Sequence, residues 1–341
     1  MKAAVVEGPN RLVVKDIPEP TPGDYQALCE LLYGATCSGT DSHIIEGNFP
    51  WISPYPTVLG HESVGRVVEV GPKVRHLKKG DLIARVSTPA VPGYSVTWGG
   101  FAELGIATDF RAAQEDGLPA SVWGGCRVQR PLPPGTEPAA ATMFITWRET
   151  LSYSNRIGFG AGKAVLVIGS GGNALSYIAH AANAGCAVRV MIGSAVREAA
   201  ARKAGATHYL DYKAAGVKEA AGKLCPDGFD IVIDAVGKVG LGDLGLALLR
   251  AGGTIGIYGI DDYGKCLLNP DAARGSFAVY RDYLDEAETH DQVVALYQAG
   301  ELDASVWLDL AHPFALDQIA DAFEAVRARR VVKALVRLRG V

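Results

Sequence analysis

No run of about 18 apolar residues, the length a membrane-spanning helix needs, occurs in this 341-residue chain. Neither sign of charge is in marked excess: 33 Lys and Arg stand against 37 Asp and Glu, a formal net charge of −4. Without a basic stripe, nucleic acid is not an expected partner, and neither is a membrane. The N-terminus, Met1-Lys2-Ala3-Ala4-Val5-Val6-Glu7, reaches an acid too early to read as a secretory signal. Cysteine is sparse: the six, at positions 29, 37, 126, 186, 225 and 266, follow no pairing pattern. Such spacing predicts reduced thiols in a cytoplasmic protein, not a disulfide framework. Internal repeats and low-complexity tracts are also missing. What is plentiful is apolar residue, 48% of the chain, enough for two domains with a core each.

From Met1 to about Glu137, short β-rich runs alternate with Gly and Pro: Leu12 to Val14, Ala27 to Leu32, Val64 to Val70. That spacing predicts a compact barrel-like β domain. The stretch Ala107 to Pro138 is poorly periodic and reads as a long surface loop. The character changes near Ala139. Ala164-Val165-Leu166-Val167-Ile168 is a continuous apolar run, as in parallel strands buried on both faces. Strand and helix patterns then alternate as far as Tyr258, the signature of βαβ units in a doubly wound parallel sheet. Helical patterns at Gln292 to Ala299 and Leu316 to Ala328 precede a last strand, Lys333 to Val336. The α/β division expected is residues 1–150 with 286–341 against 151–285.

Two segments carry chemistry. Cys37-Ser38-Gly39-Thr40-Asp41-Ser42-His43 and Gly60-His61-Glu62 place a thiol and an imidazole 24 positions apart, each near a carboxylate. Thiolate and imidazole are preferred zinc ligands, and a catalytic zinc takes about three protein ligands plus one open position. The spacing is too wide for a zinc finger, so a fold must bring the two together. The second segment is Gly169-Ser170-Gly171-Gly172-Asn173-Ala174, a GxGxxG-like loop after a strand and before a helix. There the glycines admit a dinucleotide pyrophosphate to the helix N-terminus, and Ala174 replaces the third glycine. NAD sites place an acid at the end of the next strand, about 20 residues on. Here that position reads Ile192-Gly193-Ser194-Ala195-Val196-Arg197, with no acid. A hydroxyl and a guanidinium suit a 2′-phosphate, so NADP(H) is expected, with Ser194, Arg197, Tyr212 and Lys213 near the phosphate. The alternative for Arg197 is a solvated helix residue.

On these motifs, with Gly60 through Gly71, Lys79-Gly80-Asp81 and Gly99-Gly100-Phe101-Ala102-Glu103, the chain resembles the medium-chain dehydrogenase/reductase superfamily, zinc-type alcohol dehydrogenase group, over nearly its whole length. The resemblance implies a GroES-like β-barrel catalytic domain plus a Rossmann cofactor domain. It also implies hydride transfer between nicotinamide and a small-molecule alcohol or carbonyl, in a homodimer or homotetramer. Cys37 and His61 match its catalytic zinc ligands, Glu62 a residue beside the metal, Asp41 the carboxylate that orients the histidine, and Thr40 with His43 a proton relay. Val236, Gly259 and Lys333 match positions near the cofactor, the alternative for Lys333 being a solvated side chain.

The chain departs from the family pattern in three places. One residue is inserted in Cys37-Ser38-Gly39-Thr40-Asp41, which shifts ligand or relay along the loop. The third ligand position falls on Met143, Phe144 or Ile145, none a zinc ligand. Glu149, one helical turn after Ile145, is the substitute expected, the alternative being an ion pair with Arg148 or another neighbour. The region Ser87 to Gly99 holds no cysteine, so one catalytic zinc and no structural zinc is expected. A zinc-free NADPH-dependent quinone or enoyl reductase of the same superfamily is the competing reading. Trp51, Trp98 and Trp147, with Phe101 or Tyr94, are expected to line the substrate pocket.

Overall fold

The computed structural model describes residues 1–51, 54–281 and 284–339. Its contacts divide into two units, Met1–Ile145 with His290–Val294 and Asp303–Val341, and Thr146–Thr289 with Ala295–Leu302.

The first unit is built on strands β1 (Lys2–Val6), β2 (Leu12–Asp16), β3 (Gln26–Ala35), β4 (Thr57–Val58), β5 (Glu62–Val70), β6 (Leu82–Ala84), β7 (Ser95–Val96) and β8 (Leu104–Thr108), with helix α1 (Thr40–Glu46) between β3 and β4. One sheet runs β2-β1-β4-β7. The chain's end supplies two strands of the other, β15 (Phe314–Ala315) and β16 (Leu335–Arg337), in the order β15-β16-β3-β5-β6, with β8 also pairing β3. In β3 the register places Ala35 opposite both Glu62 of β5 and Leu335 of β16. Three segments far apart in sequence therefore meet at the end of one strand.

The segment Ala107 to Pro138, read above as irregular, contains α2 (Phe110–Glu115) and α3 (Ala120–Trp123). Both are too short to show a period, and the first is set by its cap. Asp109, 2% exposed, accepts from Ala112 N at 3.0 Å, and from Arg75 N and His76 N at 2.7 Å each. Burial pushes its carboxyl up, but these N–H donors and the His76 ring outweigh it and hold the group below the ordinary range. The folded-state value lies below the unfolded one, so the stabilisation is complete above the ordinary aspartate pKa of about 3.9 and is lost as pH falls through the lower, folded value. Asp109→Ala is expected to cost about 2 kcal/mol by urea unfolding at pH 7. The gap from the parent should narrow below about pH 4.

The second unit begins at Thr146, within α5 (Met143–Ile157), which follows α4 (Pro138–Ala141). It comprises β9 (Ala164–Ile168), α6 (Gly172–Asn183), β10 (Val188–Gly193), α7 (Glu198–Lys203), β11 (His208–Asp211), α8 (Val217–Leu224), β12 (Phe229–Asp234), α9 (Leu241–Leu248), β13 (Leu249–Ile257) and β14 (Ala278–Tyr280). The sheet order is β11-β10-β9-β12-β13-β14, every pairing parallel. Every residue of β9 is buried, which is why its sequence is apolar without alternation. Leu166, Val190, Phe229, Val232, Leu246 and Ile255 form the heart of one core, each side chain stabilising by about 1.5–3 kcal/mol. Helix α10 is His290–Gln298 and α11 is Ile319–Arg327. The last strand starts at Leu335, leaving Lys333 just before it.

Candidate active site

Position 35 of β3 builds the first half of the site. Cys37 lies two residues beyond it, Glu62 opens the paired strand β5 with His61 just before it, and Lys333 precedes the paired strand β16. Asp41, in α1 and fully buried, ties these together: Oδ2 accepts from Cys37 N at 2.9 Å, and Oδ1 lies 3.1 Å from His61 Nδ1. The carboxylate fixes a hydrogen on Nδ1 and leaves Nε2, 3.7 Å from Glu62 Oε1, as the nitrogen that could coordinate a metal. One ligand atom each from Cys37, His61 and Glu62 lie within 4.8 Å of one another, all three residues buried. A buried sulfur, imidazole and carboxylate held this close match the donor set of a zinc site.

The electrostatics point the same way. Burial alone would push the His61 imidazolium down, yet the Asp41 carboxylate and the Cys37 sulfur outweigh it and hold the ring protonated well above the ordinary histidine range. The cluster is thus one that attracts positive charge. Lys333 adds to this. Its Nζ lies 2.6 Å from each oxygen of Glu62 and donates to Thr36 O at 3.2 Å. Burial pushes the ammonium down, but Glu62, Cys37 and Asp41 more than reverse it and its pKa is raised.

At 2% exposed, Lys333 is not a solvated lysine; it pairs with Glu62 beside Cys37 and His61. Glu149, expected as a further ligand, is not a member of that cluster among the described residues. Its Oε2 lies 3.5 Å from Tyr258 Oη in the second unit, and Tyr258 Oη accepts from Asn173 Nδ2 at 3.0 Å. Thr40 opens α1, and His43 Nδ1 lies 2.8 Å from Asn48 Oδ1.

Three aromatic rings gather beside His61. Trp98 lies 5.3 Å from the His61 ring and 5.8 Å from Phe49, and Phe49 lies 5.4 Å from Trp51, all between centroids. Arg85 Nη1 donates to His61 O at 3.1 Å, and its guanidinium stands 5.9 Å from the Trp98 ring. Both Arg85 and Trp98 have positive φ, 68° and 65°, a conformation that disfavours side chains and that the fold imposes on either side of His61. Trp147 and Phe101 are not wall residues. Each is fully buried, Trp147 against Tyr297 and Phe101 against Phe323. Sequence reading missed Phe49, whose only signal is its place between Gly47 and Pro50, and the role of Lys333.

In the second unit, Gly169 follows β9 at φ 123° and its N–H donates to Ile192 O at 2.8 Å. Gly171 caps α6, which opens with Gly172, Asn173 and the buried Ala174. The N-terminal N–H groups of this 12-residue helix follow directly on the glycine loop, the arrangement that suits an anion. Val236 and Gly237 N–H donate to Asp234 Oδ1 at 2.9 and 2.8 Å, and a Cβ at Gly259 would collide with that backbone. Ser194 follows β10, and Arg197, 9% exposed, closes the short turn after it. Tyr212 N donates to Gly193 O at 3.0 Å.

Two family models match, an alcohol dehydrogenase GroES-like domain over residues 23–116 and a zinc-binding dehydrogenase domain over 172–296. L-threonine 3-dehydrogenase of Pyrococcus furiosus is 30% identical, over 96% of this chain and 95% of its own length. The chain belongs to the zinc-type alcohol dehydrogenase group of the medium-chain dehydrogenase/reductase superfamily. It is an oxidoreductase. Sorbitol dehydrogenase of Halalkalibacterium halodurans is 25% identical over 98% of this chain and 99% of its own. Alcohol dehydrogenase of Thermus sp. ATN1 shares the fold, with TM-score 0.82 at 23% identity over 99% of this chain and 100% of that one.

Proposed function

We propose that this oxidoreductase is zinc-dependent and NADP(H)-dependent, transferring a hydride between the nicotinamide and an alcohol or carbonyl carbon of a small molecule. The observation that carries the reading is the buried Cys37, His61 and Glu62 cluster with Asp41 behind it. Those three residues would hold the ion, and Glu149 is assigned instead to the Tyr258–Asn173 chain. Bound there, zinc supplies Lewis-acid polarisation of the substrate oxygen.

The chain's own groups do the rest. Asp41 keeps the His61 tautomer, and Lys333 offsets the charge of Glu62. His43 Nδ1–H donates to Asn48 Oδ1, so Nε2 is the nitrogen that takes the proton handed on by the Thr40 hydroxyl. Phe49, Trp51 and Trp98 form an apolar face beside His61 that keeps water from the reacting carbon. In the second unit, α6 takes the pyrophosphate, the Val236 and Gly259 loops take the nicotinamide half, and Ser194, Arg197 and Tyr212 take a 2′-phosphate. With NADPH, carbonyl reduction is the favoured direction. The relatives named above act on hydroxylated substrates, sorbitol and threonine, so a small polyol or hydroxy acid is the first class to try. A homodimer or homotetramer is the expected assembly.

The test is a panel of polyols, hydroxy acids, simple alcohols and their carbonyl counterparts with NADP+ or NADPH and NAD+ or NADH, before and after chelation. Turnover that prefers the phosphorylated cofactor and disappears with chelator supports the reading. NADPH oxidation by an enone that survives chelation would replace it with the zinc-free reductase.

A further inference from the structure

The end of β10 shows why this chain carries no acid there, and the reason lies on two other elements. Gly193 is the last residue of β10, the position from which a carboxylate would reach an adenosine ribose. A Cβ built on Gly193 comes closer than 3.0 Å to Ser170 Cβ, Ser170 Oγ and Tyr209 Oη. Ser170 belongs to the glycine loop after β9, and Tyr209 to the neighbouring strand β11. The obstruction on the Ser170 side is a β-carbon, which cannot rotate away.

The same two side chains grip the residue that follows. Ser194 N donates to Ser170 Oγ at 3.0 Å, and Tyr209 Oη donates to Ser194 O at 2.6 Å. The Ser194 carbonyl also accepts from Arg197 N at 2.8 Å, closing the turn that carries Arg197. Both backbone groups of Ser194 are therefore held by side chains from outside its own strand. Asp211, at the end of β11, has its Oδ1 3.1 Å from Lys213 N and is drawn into that local turn. Arg197 and Glu198 are the other charged groups facing the Tyr209 hydroxyl.

We propose that Tyr209 and Ser170 determine the cofactor choice: they fill the volume an acidic side chain at position 193 would need, and they clamp the Ser194–Arg197 turn in the form that receives a 2′-phosphate. The proposal rests on the NADP(H) reading given above. Neither residue touches the cofactor in this scheme; both are positioning residues. Removing the Tyr209 hydroxyl loosens the turn and weakens the phosphate contacts, while contacts shared by both cofactors stay.

Dissociation constants measured by fluorescence on the purified full-length enzyme test this, with adenosine 2′-monophosphate and adenosine 5′-monophosphate as further probes. For Tyr209→Phe, the NADPH constant is expected to rise about fivefold, that of NADH to move less than about twofold, and only the 2′-monophosphate to weaken. Ser170→Ala, which removes the other half of the clamp, should act in the same direction. Gly193→Asp alone should lose NADPH without gaining NADH. Combined with Ser170→Gly and Tyr209→Phe, which clear the space, it should gain at least about tenfold for NADH relative to the single variant. Equal changes for both cofactors in Tyr209→Phe and Ser170→Ala, or a switch to NADH by Gly193→Asp alone, would overturn the proposal. A parent enzyme that binds NADH more tightly than NADPH would instead overturn the reading beneath it.

Discussion

Cys37→Ala is expected to lower kcat/KM by about a thousandfold or more while leaving the dissociation constant for NADPH within about twofold. The magnitude follows from the chemistry assigned to the site. A bound cation that stabilises developing charge on oxygen in a dry pocket contributes several kcal/mol, and every 1.36 kcal/mol is tenfold in rate. Cys37 supplies the sulfur of the donor set and sits behind the Asp41 carboxylate through its own N–H, at 2.9 Å. The alanine keeps that backbone bond and removes only the ligand. In the proposed scheme the cofactor is held by the glycine loop Gly169 to Ala174, which belongs to the other unit, so its binding should not notice the change. Steady-state kinetics alongside NADPH fluorescence titration reads both quantities. A variant that retains more than about a tenth of its kcat/KM would show that the sulfur has no part in the chemistry.

Lys333→Met should have the largest effect on stability. Its ammonium is 2% exposed and lies 2.6 Å from both Glu62 oxygens. The change removes the ammonium from the buried Glu62 carboxylate and leaves the His61 ring, 3.7 Å away, as the nearest cation; breaking a buried pair on one side costs up to about 3–5 kcal/mol. The companion variant Lys333→Met with Glu62→Gln removes both charges and should recover much of that loss, since the glutamine no longer carries a buried charge. Urea unfolding of the chelated protein separates the two cases. If the single and double variants unfold at the same denaturant concentration, Lys333 is not holding Glu62 in place.

How much of this the sequence disclosed depended on how local the signal was. The parallel sheet was legible because a strand buried on both faces has nowhere to place a polar residue, as Ala164 to Ile168 shows. The glycine loop was legible because strand, turn and helix follow one another within a dozen residues. Cys37, Asp41 and His61 were readable as a set through the motif, yet what brings them together is the register of β3 against β5. The ion pair of Lys333 with Glu62 was not legible because the two lie 271 residues apart and are brought together by strand pairing, Ala35 with Leu335 among it. No periodicity reports such a meeting. Glu149 was placed by helical spacing alone, and spacing does not say that a tyrosine hydroxyl after β13 will face its carboxylate. The short helix α2 escaped notice for the opposite reason. Its stability comes from the cap at Asp109 and from the Arg75 and His76 N–H groups, and six residues are too few to declare a face.

Metal content, measured by mass spectrometry on protein purified without chelator, is the most direct test of the buried Cys37, His61 and Glu62 centre. About one zinc per chain is expected in the parent and close to none in Cys37→Ser and His61→Ala, with both variants still folded by circular dichroism. A parent free of zinc after growth and dialysis in zinc-sufficient buffer, or variants that keep a full equivalent, would contradict the assignment of these residues as its ligands.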